Sequence, residues 1–153
     1  MNIFVLDLDP ELAAIYQGDK HVVKMALESA QLLCAPFDPG VAPYKRTHYN
    51  HPCAKWARED ASNYCWLLNH AWALGREYRF RYHKDHKCIP VVDWCYANMY
   101  RLGLPDVKRT PFAQAMPDAY KNPDPVVAYR SYYTNEKNKI VQWNKGREKP
   151  HWF

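Results

Sequence analysis

The segment from residue 19 to residue 34 constrains the fold more than any other part of the chain. Placed at 100° per residue, its apolar side chains cover one broad face of a helix. These side chains are Val22, Val23, Ala26, Leu27, Ala30, Leu33 and Cys34. A helix that is apolar over most of its circumference needs packing partners on several sides. We therefore predict a buried helix over this segment, N-capped by Asp19, within a mostly α-helical domain.

A narrow polar stripe completes the same helix and consists of His21, Lys24, Glu28 and Gln31. Groups fixed on a rigid helix keep a constant relative geometry, which acid–base catalysis requires. Glu28 suits general acid–base catalysis or the stabilisation of a cationic sugar-like transition state, and Lys24 suits phosphate contact or imine formation. The alternative is an ordinary solvated edge with a Lys24–Glu28 pair, and helical spacing alone favours that alternative.

Proline and cap signals divide the rest of the chain. They predict helices over residues 10–17, from 52 onward, over 63–82, over 90–102 and over 125–143. Residues 2–7 (NIFVLD) predict a short extended segment, and residues 35–52 a proline-rich irregular connection. The expected fold is a mostly α, single compact domain over residues 1–153, whose basic aromatic tail, residues 144–153, is flexible or contacts DNA.

All 21 Lys and Arg residues follow Asp19, and the formal net charge is +5. A basic body favours phosphate or another polyanion as partner. Basic and aromatic residues alternate over 76–87 and 145–153, as contact with single-stranded or distorted DNA requires. The alternatives are a complement to the helix dipole for the first stretch and docking on the core for the second. The predicted DNA contacts are Lys20, Gln31, His51, Arg58, Arg76, Arg79, Arg81, Lys84 and Trp152.

The five cysteines are an odd number, and the N-terminus turns acidic after a few apolar residues, unlike a secretory signal. No apolar run approaches transmembrane length. We therefore expect free thiols in a reducing cytoplasm, no membrane partner and a monomer.

Two HxxHxC triplets raise the possibility of zinc, whose preferred ligands are imidazole and thiolate. The six side chains are His48, His51, Cys53, His83, His86 and Cys88. Neither spacing is that of a standard zinc finger, so coincidence on a histidine-rich basic surface is the favoured interpretation and no cofactor is predicted. Asp7 and Asp9, with Asp19, suit either Mg²⁺ or turn and cap positions, and we favour the turns and caps.

Several segments resemble a family of small phage-encoded proteins. They are DKHVVKMALESAQLL (19–33), THYNHPCAKWARED (47–60), NYCWL (63–67), MPDAY (116–120) and AYRSYY (128–133). This resemblance covers most of the chain and implies a phage or prophage source, without implying a function.

The segment HVVKMALE (21–28) is also similar to the phage pyrimidine-dimer DNA glycosylase/AP-lyase family, called endonuclease V. In that family an early helix carries a histidine and, seven residues later, the catalytic glutamate, which correspond here to His21 and Glu28. The basic EYRFRYHK (77–84) and the aromatic PHWF (150–153) match that family's basic helix end and DNA-contacting tail. The resemblance implies a compact α domain that flips a base out of the duplex.

One departure concerns the nucleophile. The family uses the α-amino group of a small residue exposed by removal of the initiator methionine, whereas Asn2 normally leaves Met1 in place. Also, the chain before His21 is longer than in the family. Three possibilities stay open: Met1 supplies the amine, Lys20 or Lys24 replaces it, or the enzyme is a glycosylase with no lyase step.

The expected function is base excision in DNA repair, on damaged or modified pyrimidines, with Glu28, His21, Lys24 and Met1 as the catalytic set. One alternative is a phage DNA-base modification or nucleotide-processing enzyme on the same scaffold. Another is a non-enzymatic phage factor that binds DNA or protein. The distance between the N-terminal amine and Glu28 is the geometry on which the glycosylase hypothesis depends.

Overall fold

The computed structural model describes all residues from Met1 to Phe153. The chain forms helices and no β-strand, which confirms the mostly α prediction. The helices are α1 (Pro10–Ile15), α2 (Asp19–Cys34), α3 (Pro52–Ala57), α4 (Ala61–Tyr82), α5 (Ile89–Asn98) and α6 (Pro125–Glu136), with 3₁₀ turns at Met99–Leu102 and Asp118–Tyr120. None of these helices combines the length and the apolarity that crossing a bilayer requires.

Helices α2 and α4 form an antiparallel pair at the centre of the fold. The start of α2 meets the end of α4, where the Tyr82 hydroxyl donates to the Asp19 carbonyl at 3.0 Å. The end of α2 meets the start of α4, where the Tyr64 hydroxyl donates to the Leu33 carbonyl at 2.6 Å. Since α3 and α5 also pack on α2, the predicted buried central helix is confirmed.

The first residues lie inside the core and form no strand. Asn2 to Leu6 are all buried, and the Asn2 side-chain oxygen accepts the N–H groups of Ile3 (2.8 Å) and Phe4 (3.0 Å). These bonds turn the chain, and Phe4 takes the left-handed conformation with φ of 42°. The segment expected to be extended is therefore a buried turn, because an asparagine side chain competes for the backbone N–H groups.

Two predicted helix boundaries are wrong. Helix α6 ends at Glu136 rather than near residue 143, because the following chain crosses to the start of α2, where the Asp19 N–H donates to the Gln142 carbonyl at 2.8 Å. The N-cap of α2 is Gly18 rather than Asp19. The Asp19 carboxylate is instead buried, where it accepts the Asn144 N–H at 2.8 Å and pairs with Arg81.

That ion pair belongs to a buried network that joins α2, α4 and the tail. Arg81 pairs with Asp19 at 3.2 Å and with Glu77 at 3.0 Å, and its side chain is 0% exposed. Glu77 also receives Arg147 from the tail at 2.7 Å. The guanidinium of Arg81 additionally donates to the carbonyls of Gln17 and Ile15, so its donors are well satisfied. The network fixes the start of α2 and docks the tail on α4 through Arg147. The alternative of a flexible tail is therefore wrong.

Replacing Arg81 by methionine should lower the free energy of unfolding by about 3–5 kcal/mol, because two buried carboxylates then lose their counter-ion. Urea denaturation measures this loss. The matched control is Arg79→Met on the same helix, where the exposed pair with Asp85 predicts a loss below about 1 kcal/mol. Equal, small losses for both variants would show that the network does not hold the fold together.

Candidate active site at the N-terminus

The α-amino nitrogen of Met1 lies 3.2 Å from Oε1 of Glu28. The Met1 side chain is only 2% exposed and packs on the core, whereas the residue as a whole is half-buried. The accessible part of Met1 is therefore its main chain, which carries the amine. The second carboxylate oxygen of Glu28, Oε2, is buried and has no hydrogen-bond partner in the protein. The pair thus combines a reachable amine with a carboxylate that keeps one oxygen free.

Asn2 and Phe4 hold the amine in this position. The Asn2 side-chain amide donates to the Ala115 carbonyl at 2.9 Å. The Phe4 ring stacks on His21, with centroids 4.9 Å apart, and faces Tyr132 on its other side at 6.4 Å. A left-handed conformation costs a non-glycine residue about 1–3 kcal/mol and persists only where the surroundings impose it. Here the two stacked rings impose it, and the turn directs Met1 towards Glu28.

His21 is neutral and its tautomer is set by Tyr133. The Tyr133 hydroxyl accepts the Gly18 N–H at 2.8 Å, and Nδ1 of His21, at 2.7 Å, is the one acceptor within reach of its own proton. His21 therefore carries its proton on Nε2. Burial lowers the pKa of His21 to about 4, with smaller contributions from the charges of Lys137 and Lys24. A ring that stays neutral at pH 7 and stacks on Phe4 acts by positioning the N-terminal segment.

His51 and Cys53 lie on the α3 side of the pair. The pKa of His51 is lowered by burial and then by the positive amine of Met1, and the Glu28 carboxylate opposes this shift. Burial raises the pKa of the Cys53 thiol to about 12, so this thiol stays protonated and is a poor nucleophile. His51 is thus an electrostatic neighbour of the amine, and Cys53 is a packing residue.

The polar stripe on α2 divides into two parts. His21 and Glu28 are buried, whereas Lys24 is exposed and Gln31 is half-buried. Lys20 is also exposed and forms no ion pair with a carboxylate. The stripe is therefore half buried and half solvated, a division that the helical spacing alone did not predict.

Sequence reasoning missed the residues that hold the site from a distance. Tyr133 and Lys137 come from the end of α6 and the turn after it, and both act on His21. No local pattern marks them, because their partners lie more than one hundred residues earlier in the chain. Asn2 carried a usable signal, since asparagine beside a chain terminus is a typical turn residue.

The expected DNA contacts occupy very different environments. Arg76, Arg79 and Lys84 are exposed at the end of α4, and the two arginines line a cavity of about 490 Å³ with Trp72 and Lys87. The prediction that Arg81 contacts DNA is corrected, because its guanidinium is buried among carboxylates.

The tail residue Trp152 is also corrected as a stacking surface. Its ring meets the Tyr16 ring edge-on at 5.8 Å, and the Arg130 guanidinium lies 5.1 Å from it. Its indole N–H is buried without a partner. Trp152 therefore packs on the core, which is the alternative predicted from the sequence for the aromatic tail.

The two HxxHxC triplets are helix-start motifs. His48 and His83 both take the left-handed conformation, with φ of 50° and 59°. The Nδ1 atoms of His51 and His86 accept the N–H groups of Cys53 (3.1 Å) and Cys88 (3.2 Å) at the starts of α3 and α5. No group of three or more His, Cys, Asp or Glu side chains is arranged to hold a metal ion. The six zinc candidates His48, His51, Cys53, His83, His86 and Cys88 are therefore not gathered into one site.

The acidic residues near the N-terminus form a turn and a cap, as favoured. Asp7 accepts the Asp9 N–H at 2.9 Å and pairs with Arg130 at 3.1 Å. Asp9 accepts the Glu11 N–H at 2.8 Å and caps α1.

No protein-family model, curated protein or solved structure matches this chain. The resemblance to the phage glycosylases thus depends on its motifs, and the function must be argued from the geometry of the site.

Buried histidines predict a pH dependence of stability. His70, whose Nδ1 donates to the Pro10 carbonyl at 2.9 Å, also has a pKa lowered by burial to about 4. In the unfolded chain both His21 and His70 titrate near the usual value of about 6.5. The unfolded state therefore takes up more protons between about pH 6.5 and 4, and the free energy of unfolding should fall by about 3 kcal/mol per ring as pH falls through this interval.

The direct measurement is a ¹⁵N titration of the histidine rings. The rings of His21 and His70 should stay neutral at about pH 5.5 in the folded protein, with His21 protonated on Nε2. The same rings in urea-unfolded protein serve as the control. A folded-state titration near 6.5 for either ring would contradict the burial argument.

Proposed function

We propose that this chain is a DNA base-excision enzyme, an N-glycosylase with an associated AP-lyase step, acting on damaged or modified pyrimidines. The Met1 amine is the nucleophile and Glu28 is the catalytic carboxylate. The observation that supports this most is the 3.2 Å contact between the N-terminal amine and Glu28 Oε1. An amine beside a carboxylate that can remove its proton is the arrangement that imine-forming catalysis needs.

The proposed reaction begins when Glu28 accepts a proton from the ammonium group. The free amine attacks C1′ of the target deoxynucleotide, the bond from C1′ to the base breaks, and the base leaves with the bonding electrons and takes up a proton. Glu28 supplies that proton, and the carboxylate thus restored stabilises the cationic charge that develops on the sugar. Oε2 has no partner in the protein and is buried, so the substrate reaches it only once the nucleotide has entered the site.

The lyase step follows from the same adduct. The C1′–O4′ bond of the sugar breaks as the Met1 nitrogen loses a proton and forms an imine with C1′, and O4′ takes up a proton. Loss of a proton from C2′ then expels the 3′ phosphate with its bonding electrons, which cleaves the strand. Water hydrolyses the imine and restores the amine.

Met1 is a better candidate for the nucleophile than either lysine. Its side chain is buried and Asn2 is tied to Ala115, so this segment holds the Met1 amine beside Glu28. Lys20 and Lys24 are exposed, and neither pairs with Glu28. A retained methionine would therefore take the part that a small N-terminal residue has in the phage glycosylases.

Positive groups near the pair suit DNA as the substrate. The charges of Lys24 and Lys137 both act on His21. Glu28 is the only carboxylate in direct contact with the amine. Ammonium groups near His21 attract the phosphates that flank an extruded nucleotide.

Glu28→Gln should abolish cleavage of a duplex that contains one abasic site, with a loss of at least about 100-fold. The amide keeps the size of the side chain but can neither take the proton nor stabilise a cation. Glu59→Gln is the matched control, because this exposed carboxylate only accepts from Thr110, and its activity should stay within about twofold of wild type. Retained cleavage by Glu28→Gln would remove Glu28 from the mechanism.

Adding one residue before Met1 should also abolish cleavage. The Met1 nitrogen then becomes an amide nitrogen, and the new α-amino group lies one residue farther from Glu28. DNA affinity, measured by fluorescence anisotropy, should fall much less than the rate. Undiminished cleavage by the extended chain would exclude the Met1 amine and direct attention to the lysines.

A further inference from the structure

Tyr49, in the connection before α3, lies next to two arginines: Arg46 from the same connection and Arg58 from the end of α3. The guanidinium carbons of Arg46 and Arg58 lie 4.2 Å and 3.7 Å from the centroid of the Tyr49 ring. Each guanidinium gains from the π face of the ring, and we call Arg46, Tyr49 and Arg58 the bracket.

Backbone carbonyls, rather than carboxylates, hold both arginines. Arg46 donates to the Ala35 and Phe37 carbonyls at 2.9 Å and 2.7 Å, just beyond the end of α2. Arg58 donates to the Tyr49 carbonyl. These bonds leave Nη1 of Arg46 and both Nε and Nη2 of Arg58 free. The bracket therefore presents fixed N–H donors whose conformational freedom is already restricted.

The bracket lacks a counter-ion. Neither Arg46 nor Arg58 forms an ion pair, although both are half-buried. Five other arginines do pair with carboxylates: Arg76, Arg79, Arg81, Arg130 and Arg147. The carboxylate next in sequence, Glu59, accepts from Thr110. Two adjacent, partly desolvated cations are unfavourable without an anion.

The position of the bracket relates it to the candidate active site. Tyr49 is two residues before His51, the neighbour of the Met1 amine, and α3 packs against α2. Lys45 and Lys55 are exposed on the same connection and helix, which extends the positive surface.

We propose that Arg46, Tyr49 and Arg58 form a phosphate clamp that holds the phosphodiester backbone of DNA beside the reacting nucleotide. The clamp rests on the proposed function, since it names how that site holds its substrate. Guanidinium groups match phosphate oxygens in a planar, bidentate geometry. The bound phosphates supply the missing counter-ion.

The test is the salt dependence of DNA binding, measured by fluorescence anisotropy with a labelled duplex containing one abasic site. Arg58→Gln and Arg46→Gln remove the charge, while the glutamine amide can still donate to a carbonyl. Each should lower the slope of log K against log salt by about 0.9. Arg101→Gln is the matched control, because Arg101 is exposed, has no ion pair and bonds only to Asn98. Its slope should equal that of wild type.

Arg58→Lys is a second variant that guards against misfolding as an explanation. It keeps the charge and should keep the wild-type slope, but it should bind the duplex more weakly because the planar fork is lost. Wild-type slopes for both glutamine variants would overturn the clamp. The clamp would also be overturned if the two glutamine variants lost binding of thymidine 5′-monophosphate but kept the wild-type salt slope for duplex DNA. That result would indicate a free-nucleotide site.

The clamp and the proposed function fail separately. Glu28→Gln should keep the wild-type slope in the same binding assay. Reduced slopes for the arginine variants in a protein that cleaves no DNA would leave the clamp and remove the excision activity. Cleavage of abasic-site DNA by the wild-type protein, with wild-type slopes for the arginine variants, would leave the excision activity and remove the clamp.

Discussion

The ion pair between the Met1 amine and the Glu28 carboxylate is the constraint on which the rest of the structure depends. Chain termini usually fray, and a partly buried pair of charges is costly unless its geometry is good. This chain brings its terminus inside by a buried turn, with Asn2 bonded to Ala115 and Phe4 held in a strained conformation against His21. A segment of six residues (1–6) that served only to fill the core would not need this many restraints.

Helix α2 links this pair to the stability of the whole domain. Its first residue, Asp19, is locked by Arg81, and this contact fixes where Glu28 lies nine residues later. Because Tyr133 bonds both Gly18 and His21, the same anchor also sets the orientation of the histidine. The buried network that holds the fold and the candidate active site are therefore two parts of one helix.

Local patterns predicted the helices but not their tertiary partners. Apolar periodicity predicted α2 as a buried helix, and the resemblance to the phage glycosylases pointed to His21 and Glu28 as the candidate pair. Arg76, Arg79 and Arg81 were all predicted to contact DNA, yet Arg81 is buried because Asp19 and Glu77 face it. Likewise HxxHxC resembled a metal motif, although its histidines accept backbone N–H groups at helix starts. Each difference arises from a partner distant in sequence or from the backbone itself, which residue patterns do not encode.

The most direct test of the central claim is to trap the imine. Incubation of the wild-type chain with abasic-site DNA and sodium borohydride reduces an imine to a stable secondary amine, and peptide mapping by mass spectrometry locates it. The account predicts a covalent DNA adduct on the α-amino group of Met1. An adduct on Lys20 or Lys24, or no adduct under conditions in which the protein binds this DNA, would contradict it.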